Sequence, residues 1–166
     1  SIDDNRLESY LRVRPKLLIC SYPETEWFFS ERCSSSIDRV QNLFRTEIID
    51  QNLYSKLKHD LDSNLKVRPN SGLSGIVDLL NKKLKKLYVT GIDFYRNSYA
   101  SHHPDYGNSS LEKVKTILRG GDNGDCHDIN KQFMYFKRLF LKNKKLEVDK
   151  TLNKYLTDSK YENVDF

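Results

Sequence analysis

In "GDCHDINKQ", residues 124 to 132, His127 stands at the mouth of a predicted helix. The positive end of a helix dipole disfavours an imidazolium and keeps the ring neutral, which suits a general base near pH 7. Asp125 or Asp128 is placed to orient that ring or to cap the helix; a helix-start histidine also has a purely structural reading. A second candidate is "PNSG", residues 69 to 72, again just before a predicted helix. N–H groups at a helix N-terminus, the Ser71 hydroxyl, Asn70 and the permissive Gly72 make a ready site for a carboxylate or phosphate. The same residues also suit an ordinary N-cap. The third is "KKLYVTGIDFYRNSYASHHPDYG", residues 85 to 107, where a short apolar run breaks at Gly91 and leads to Asp93, His102 and His103.

The elements that must position these groups follow from periodicity. Leu73, Ile76, Val77, Leu80 and Leu84 fall on one helical face, entered at Pro69 and capped by Asn70 or Ser71. "KLYVTG" is then a strand, and "HDINKQFMYFKRLFLK" an amphipathic helix with Ile129, Phe133, Phe136 and Phe140 on its inner face. "KKLEVD" is a further short strand, with a helix-like "KTLNKYL" after it. Upstream, "RPKLLIC" reads as a short buried strand. Val40, Leu43, Phe44 and Ile48 share one helical face, and Leu53, Leu57 and Leu61 another. Strands alternating with helices predict an α/β fold, a Rossmann-like layered domain whose mainly parallel sheet is flanked by helices. In such sheets ligands bind beyond the carboxyl ends of the strands. Gly91 ends a strand, so its loop is expected on that edge, as a tight turn or as backbone that a ligand can approach closely.

The 166 residues fit a single domain over 1–166. With 37% hydrophobic and 31% charged residues, the chain reads as globular rather than disordered. No apolar run reaches the roughly 20 residues of a transmembrane helix, and no signal peptide is visible. The chain opens on Ser1 without Met, so its N-terminal part is expected upstream. Cys20, Cys33 and Cys126 are odd in number and widely spaced, against a disulfide framework and in favour of a reducing, cytoplasmic setting. A net charge of +5 admits nucleic acid, anionic membrane or phosphorylated partners. Much of that charge sits in "NKKLKK" and "KRLFLKNKK", which also read as solvated helix ends.

Taken together, the three segments resemble a known family. "RPNSGLSGIVDLLNKKLKKLYVTGIDFY" resembles the small motif of sialyltransferases, in which a proline, hydroxyl residues and a glycine open a helix, followed by a strand ending in glycine and an aromatic. "SHHPDYG" stands where that family carries its third motif. "HDINKQ" is similar to the very small motif, histidine, four residues, then glutamate, with Gln132 in the glutamate's place. The resemblance covers about residues 67 to 140. It implies a metal-independent and cofactor-independent transferase whose substrates are a CMP-sugar donor and a glycan acceptor. Asn70, Ser71 and Gly72 would contact the donor's carboxylate or phosphate. Gly91 would border the cytidine nucleotide, with Asp93 on the same donor side. His102 or His103 would bind the donor phosphate and assist its departure, and His127 would deprotonate the acceptor hydroxyl, giving inversion. The family's large motif, a glycine-rich strand-to-helix turn, has no counterpart, since residues 1 to 66 contain no glycine.

Other chemistry has less to stand on. Asp60-Leu61-Asp62 is formally an Asp-x-Asp, but it lies at the tail of a helical pattern. "GDNGDCHD" fails the ligand spacing of a calcium loop. Zinc bound through Cys126, His127 and the His102–His103 pair lacks paired-cysteine spacing. The alternative to an enzyme is a transferase-like module with a structural or interaction role in a larger assembly. Lys82, Lys83, Lys85, Lys86, Lys142, Lys144 and Lys145 would then contact nucleic acid.

Overall fold

Among the residues that the computed structural model describes, each strand is three residues long and pairs in parallel with one other. The structure describes residues 8, 11–25, 34–64, 67–94 and 127–158. In chain order these form β1 (Leu18–Cys20), α1 (Ser34–Val40), β2 (Thr46–Ile48), α2 (Gln51–Leu61), α3 (Ser71–Asn81), β3 (Leu87–Val89), α4 (Ile129–Lys142), β4 (Leu146–Val148) and α5 (Lys150–Thr157). The chain divides into two compact units, 1–57 and 58–166. Among the described residues the architecture is mixed α/β with two small parallel sheets, β1–β2 and β3–β4. Among the described residues no helix is long and apolar enough to cross a membrane.

In the first unit β1 pairs with β2 in the register Leu18 to Thr46 and Cys20 to Ile48. Hydrogen bonds from Leu18 N–H to the Arg45 carbonyl (2.9 Å) and from Ile49 N–H to the Cys20 carbonyl (3.0 Å) extend the ladder at both ends. Two expectations are corrected here. Ile48 belongs to a strand rather than to the helical face of Val40, because α1 ends at Val40 and a turn follows it. The spacing 40, 43, 44, 48 mimics a helical period, but β-branched Thr46 and Ile48 suit a strand and β1 supplies backbone partners. All three residues of β1 are only half-buried, where a buried strand was expected. A two-stranded sheet cannot cover its strands as a wide one does. The core of this unit is Val40, Ile49, Tyr54 and Leu57, with Tyr22 edge-on to Tyr54 at 6.3 Å.

The second unit repeats the arrangement. β3 pairs with β4 from Leu87–Leu146 to Val89–Val148. Each strand follows a helix, α3 before β3 and α4 before β4. The inner faces predicted from periodicity are observed in part: Leu73, Ile76 and Val77 of α3 and Ile129, Phe133 and Phe136 of α4 are buried, whereas Leu80 and Phe140 are half-buried and Leu84 lies beyond the end of α3, half-buried in the turn that follows. Phe94 closes the core, its ring 5.6 Å from that of Phe133 and 5.3 Å from that of Phe136. Its backbone is left-handed, φ 53°, a conformation an L-residue avoids. Burial of the ring to 2% exposure offsets that cost.

Candidate active site

Parallel pairing puts the carboxyl ends of β3 and β4 side by side, and three helices begin at that edge. Each has a side-chain cap. The Asn70 carboxamide oxygen accepts the Leu73 N–H of α3 at 2.8 Å, Asp128 accepts the Lys131 N–H of α4 at 2.9 Å, and Asp149 accepts the Leu152 N–H of α5 at 2.8 Å. Of the alternatives left open by the sequence, Asn70 rather than Ser71 caps α3, and Asp128 caps α4. Ser71 is exposed as the first residue of its helix.

The helix mouths are tied together by a buried glutamine. Gln132 has no exposed surface. Its Oε1 accepts the Asn70 N–H at 2.8 Å, and its Nε2 donates to the Arg68 carbonyl at 3.3 Å. A carboxamide can accept and donate at once, whereas an ionised carboxylate can only accept. Gln132 therefore suits this joint where glutamate would meet the Arg68 carbonyl with like partial charge.

His127 shares that carbonyl, with Nδ1 2.9 Å from Arg68 O. A carbonyl oxygen only accepts, so Nδ1 carries a proton, and in the neutral ring the basic lone pair resides on Nε2. The contact fixes both tautomer and ring orientation, as a positioned general base requires. His127 and Gln132 thus meet at the backbone oxygen of Arg68, about sixty residues away from both in the chain.

The loop after β3 reaches the same edge. Gly91 adopts φ 73°, the left-handed region, and among the described residues a β-carbon there would meet nothing within 4 Å. Backbone conformation, rather than crowding by any described residue, is what calls for glycine. Gly72 differs: a β-carbon would lie 3.1 Å from Ile92 Cδ1, so close packing of the α3 mouth against this loop favours glycine. Asp93 follows, half-buried. His102 and His103 lie outside the described residues, as do Asp125 and Cys126.

Asp149 is the residue that the sequence analysis missed. It caps α5, and its second oxygen accepts the Gly91 N–H at 3.2 Å. Its own N–H donates to the Val89 carbonyl at 3.1 Å. The Leu152 N–H holds its carboxyl below the usual range; burial pushes the other way, and Gly91, the Thr90 hydroxyl and Thr151 reinforce the lowering. An aspartate between a strand and a helix pattern in "EVDKTL" is the signal by which it was detectable.

A separate recess of about 280 Å³ is lined by Asp60, Tyr135, Arg138, Leu139 and Lys142. Burial, then the charge of Asp60, raises the pKa of the Tyr135 phenol above its ordinary value. Asp60 is thereby occupied at the end of α2, and Asp62 faces Lys131 at 3.4 Å, so the formal Asp-x-Asp is built into ion-pair and hydrogen-bond contacts. Comparisons of the chain with protein-family models, curated proteins and solved structures find no match in any of the three.

Proposed function

We propose that residues 58–166 carry the core of a sialyltransferase-type glycosyltransferase, with the Rossmann-like layering and cytoplasmic setting expected from the sequence. In this reading a sialic-acid-like sugar passes from a CMP-sugar to a glycan hydroxyl. Nε2 of His127 takes the acceptor proton, and the acceptor oxygen forms its bond to the anomeric carbon. The bond from that carbon to the phosphate oxygen breaks on the opposite face, and its electron pair leaves with CMP. The configuration inverts, and no redox or metal step is needed.

The observation that carries the reading is the shared Arg68 carbonyl. It joins His127 of the very small motif to the helix mouth of the small motif, with Gln132 as the second clasp. Support also comes from the N-terminus of α3 at this sheet edge, capped by the neutral Asn70, whose partial positive charge suits an anionic donor and its departing phosphate. Asn70, Ser71, Gly72, Gly91 and Asp93 form the donor side, and His102 or His103 assists the leaving phosphate.

The test combines calorimetric titration of the full-length protein with CMP and a transfer assay using CMP-sialic acid and glycan acceptors. CMP binding and transfer are expected, with transfer abolished in His127→Ala while CMP binding and circular dichroism are retained. Equal transfer by His127→Ala would remove the base assignment. Absence of both CMP binding and transfer would overturn the reading in favour of a non-enzymatic module.

A further inference from the structure

The opposite edge of the β3–β4 sheet has a different chemistry. Lys82, Lys83, Lys85 and Lys86 occupy the turn from α3 into β3, and Lys142, Lys144 and Lys145 the turn from α4 into β4. Parallel pairing makes these turns neighbours, and the Leu87 N–H donates to the Lys145 carbonyl at 2.8 Å. Two lysine clusters about sixty residues apart in the chain therefore form one basic surface at the amino ends of both strands.

Among the described residues, the charge there exceeds what its acidic neighbours neutralise. Lys82 lies 3.2 Å from Asp78 Oδ2, an ion pair without hydrogen-bond alignment, and Lys86 pairs with Glu147. The C-termini of α3 and α4 each contribute about half a negative charge. Seven lysines against these groups leave a surplus of about four, and Lys83, Lys85, Lys142, Lys144 and Lys145 are all exposed. Two large apolar side chains accompany them: Leu141 in the last turn of α4, 71% exposed, and Tyr88 in β3, 60% exposed.

We propose that this edge docks on an anionic phospholipid surface. Several exposed lysines in two neighbouring turns, with an exposed aromatic and an exposed leucine on the elements that flank them, match the charge of such a surface and the amphipathic character of its interface. Arginine is absent from both turns. Nucleic-acid surfaces draw on its planar, bidentate and stacking chemistry, so the composition favours lipid headgroups over phosphodiester strands.

Sedimentation of the full-length protein with vesicles of phosphatidylcholine alone, and with 30% phosphatidylserine added, tests this. Binding is expected only to the anionic vesicles and should weaken steeply as salt is raised. Each lysine near the surface contributes about fivefold in affinity. Neutralising Lys83, Lys85, Lys144 and Lys145 together to Gln should lower binding at least tenfold with circular dichroism unchanged. Leu141→Ser should lower it further, and Lys150→Gln, at the other sheet edge, should leave it unaltered. No binding to anionic vesicles, or equal binding to both kinds, overturns the proposal. So does tighter retention on single-stranded oligonucleotides at the same salt that the quadruple variant abolishes.

Discussion

Gln132 accepts the backbone N–H of Asn70 at 2.8 Å, so the side chain of one helix completes the N-terminus of another. The same carboxamide donates to Arg68, leaving both of its ends engaged in a site without water access. Gln132→Glu keeps the length and tests the donor. An ionised carboxylate against the Arg68 carbonyl is expected to cost on the order of 1–3 kcal/mol. Burial raises the folded-state pKa of such a carboxyl above its unfolded value. The deficit relative to wild type should therefore grow as pH rises through the unfolded carboxylate range and shrink in acid. Urea denaturation of both proteins across pH 4 to 8, on the order of that range, measures it. A pH-independent difference would place the effect elsewhere.

Gly91→Ala isolates backbone conformation, since no atom of the described residues stands in the way of the new methyl group. The φ of 73° is expected to cost about 1–2 kcal/mol, seen as a lower midpoint of chemical denaturation. An unchanged midpoint would mean that the turn relaxes out of the left-handed region.

For Asp149, a folded-state pKa below its unfolded value means stability present above the unfolded value and lost as pH falls through the folded one. Asp149→Asn keeps a good N-cap but removes the charge. The thermal midpoints of wild type and variant should differ most near neutral pH and converge in acid. Parallel pH profiles would show that the hydrogen bonds to Leu152 and Gly91 do not favour the charged form.

Ser74→Ala is expected to stabilise the protein or leave it unchanged. Ser74 is fully buried within α3, and its hydroxyl has no hydrogen-bond partner among the described residues. An unsatisfied buried hydroxyl costs about 1–3 kcal/mol on mutational scales, and alanine is the better helix former. A clear loss of stability would reveal a partner for Oγ.

The helices of the second unit were legible because one period suffices to name their inner faces. Leu73, Ile76 and Val77 repeat as the core of α3, and Ile129, Phe133 and Phe136 as that of α4. β4 and α5 were also foreseen, each from a short local pattern. β2 was not, because Ile48 satisfies a helical period and the decisive factor is a partner strand far away in the chain. The single layered sheet expected from alternation is described as two separate pairs, and no local pattern tells how far a sheet extends. Within the site, His127, Asn70 and Gly91 stood out by type and position. The Arg68 carbonyl could not, since a backbone oxygen leaves no signature in residue identity. Gln132 was visible only as a departure from a motif, and its joining of two helices depends on a contact with Asn70 spanning 62 positions.

The clasp at Arg68 also bears on how the molecule matures. Helix formation along 71–81 needs only neighbouring residues, but the mouth needs Gln132, and the Gly91 turn needs Asp149, both made much later. Closing so long a loop is slow compared with winding a helix. A nascent chain should thus lack the completed mouth of α3 and the Gly91 turn until synthesis has passed residue 149, so on the proposed reading ligand capture would report the end of folding rather than its beginning.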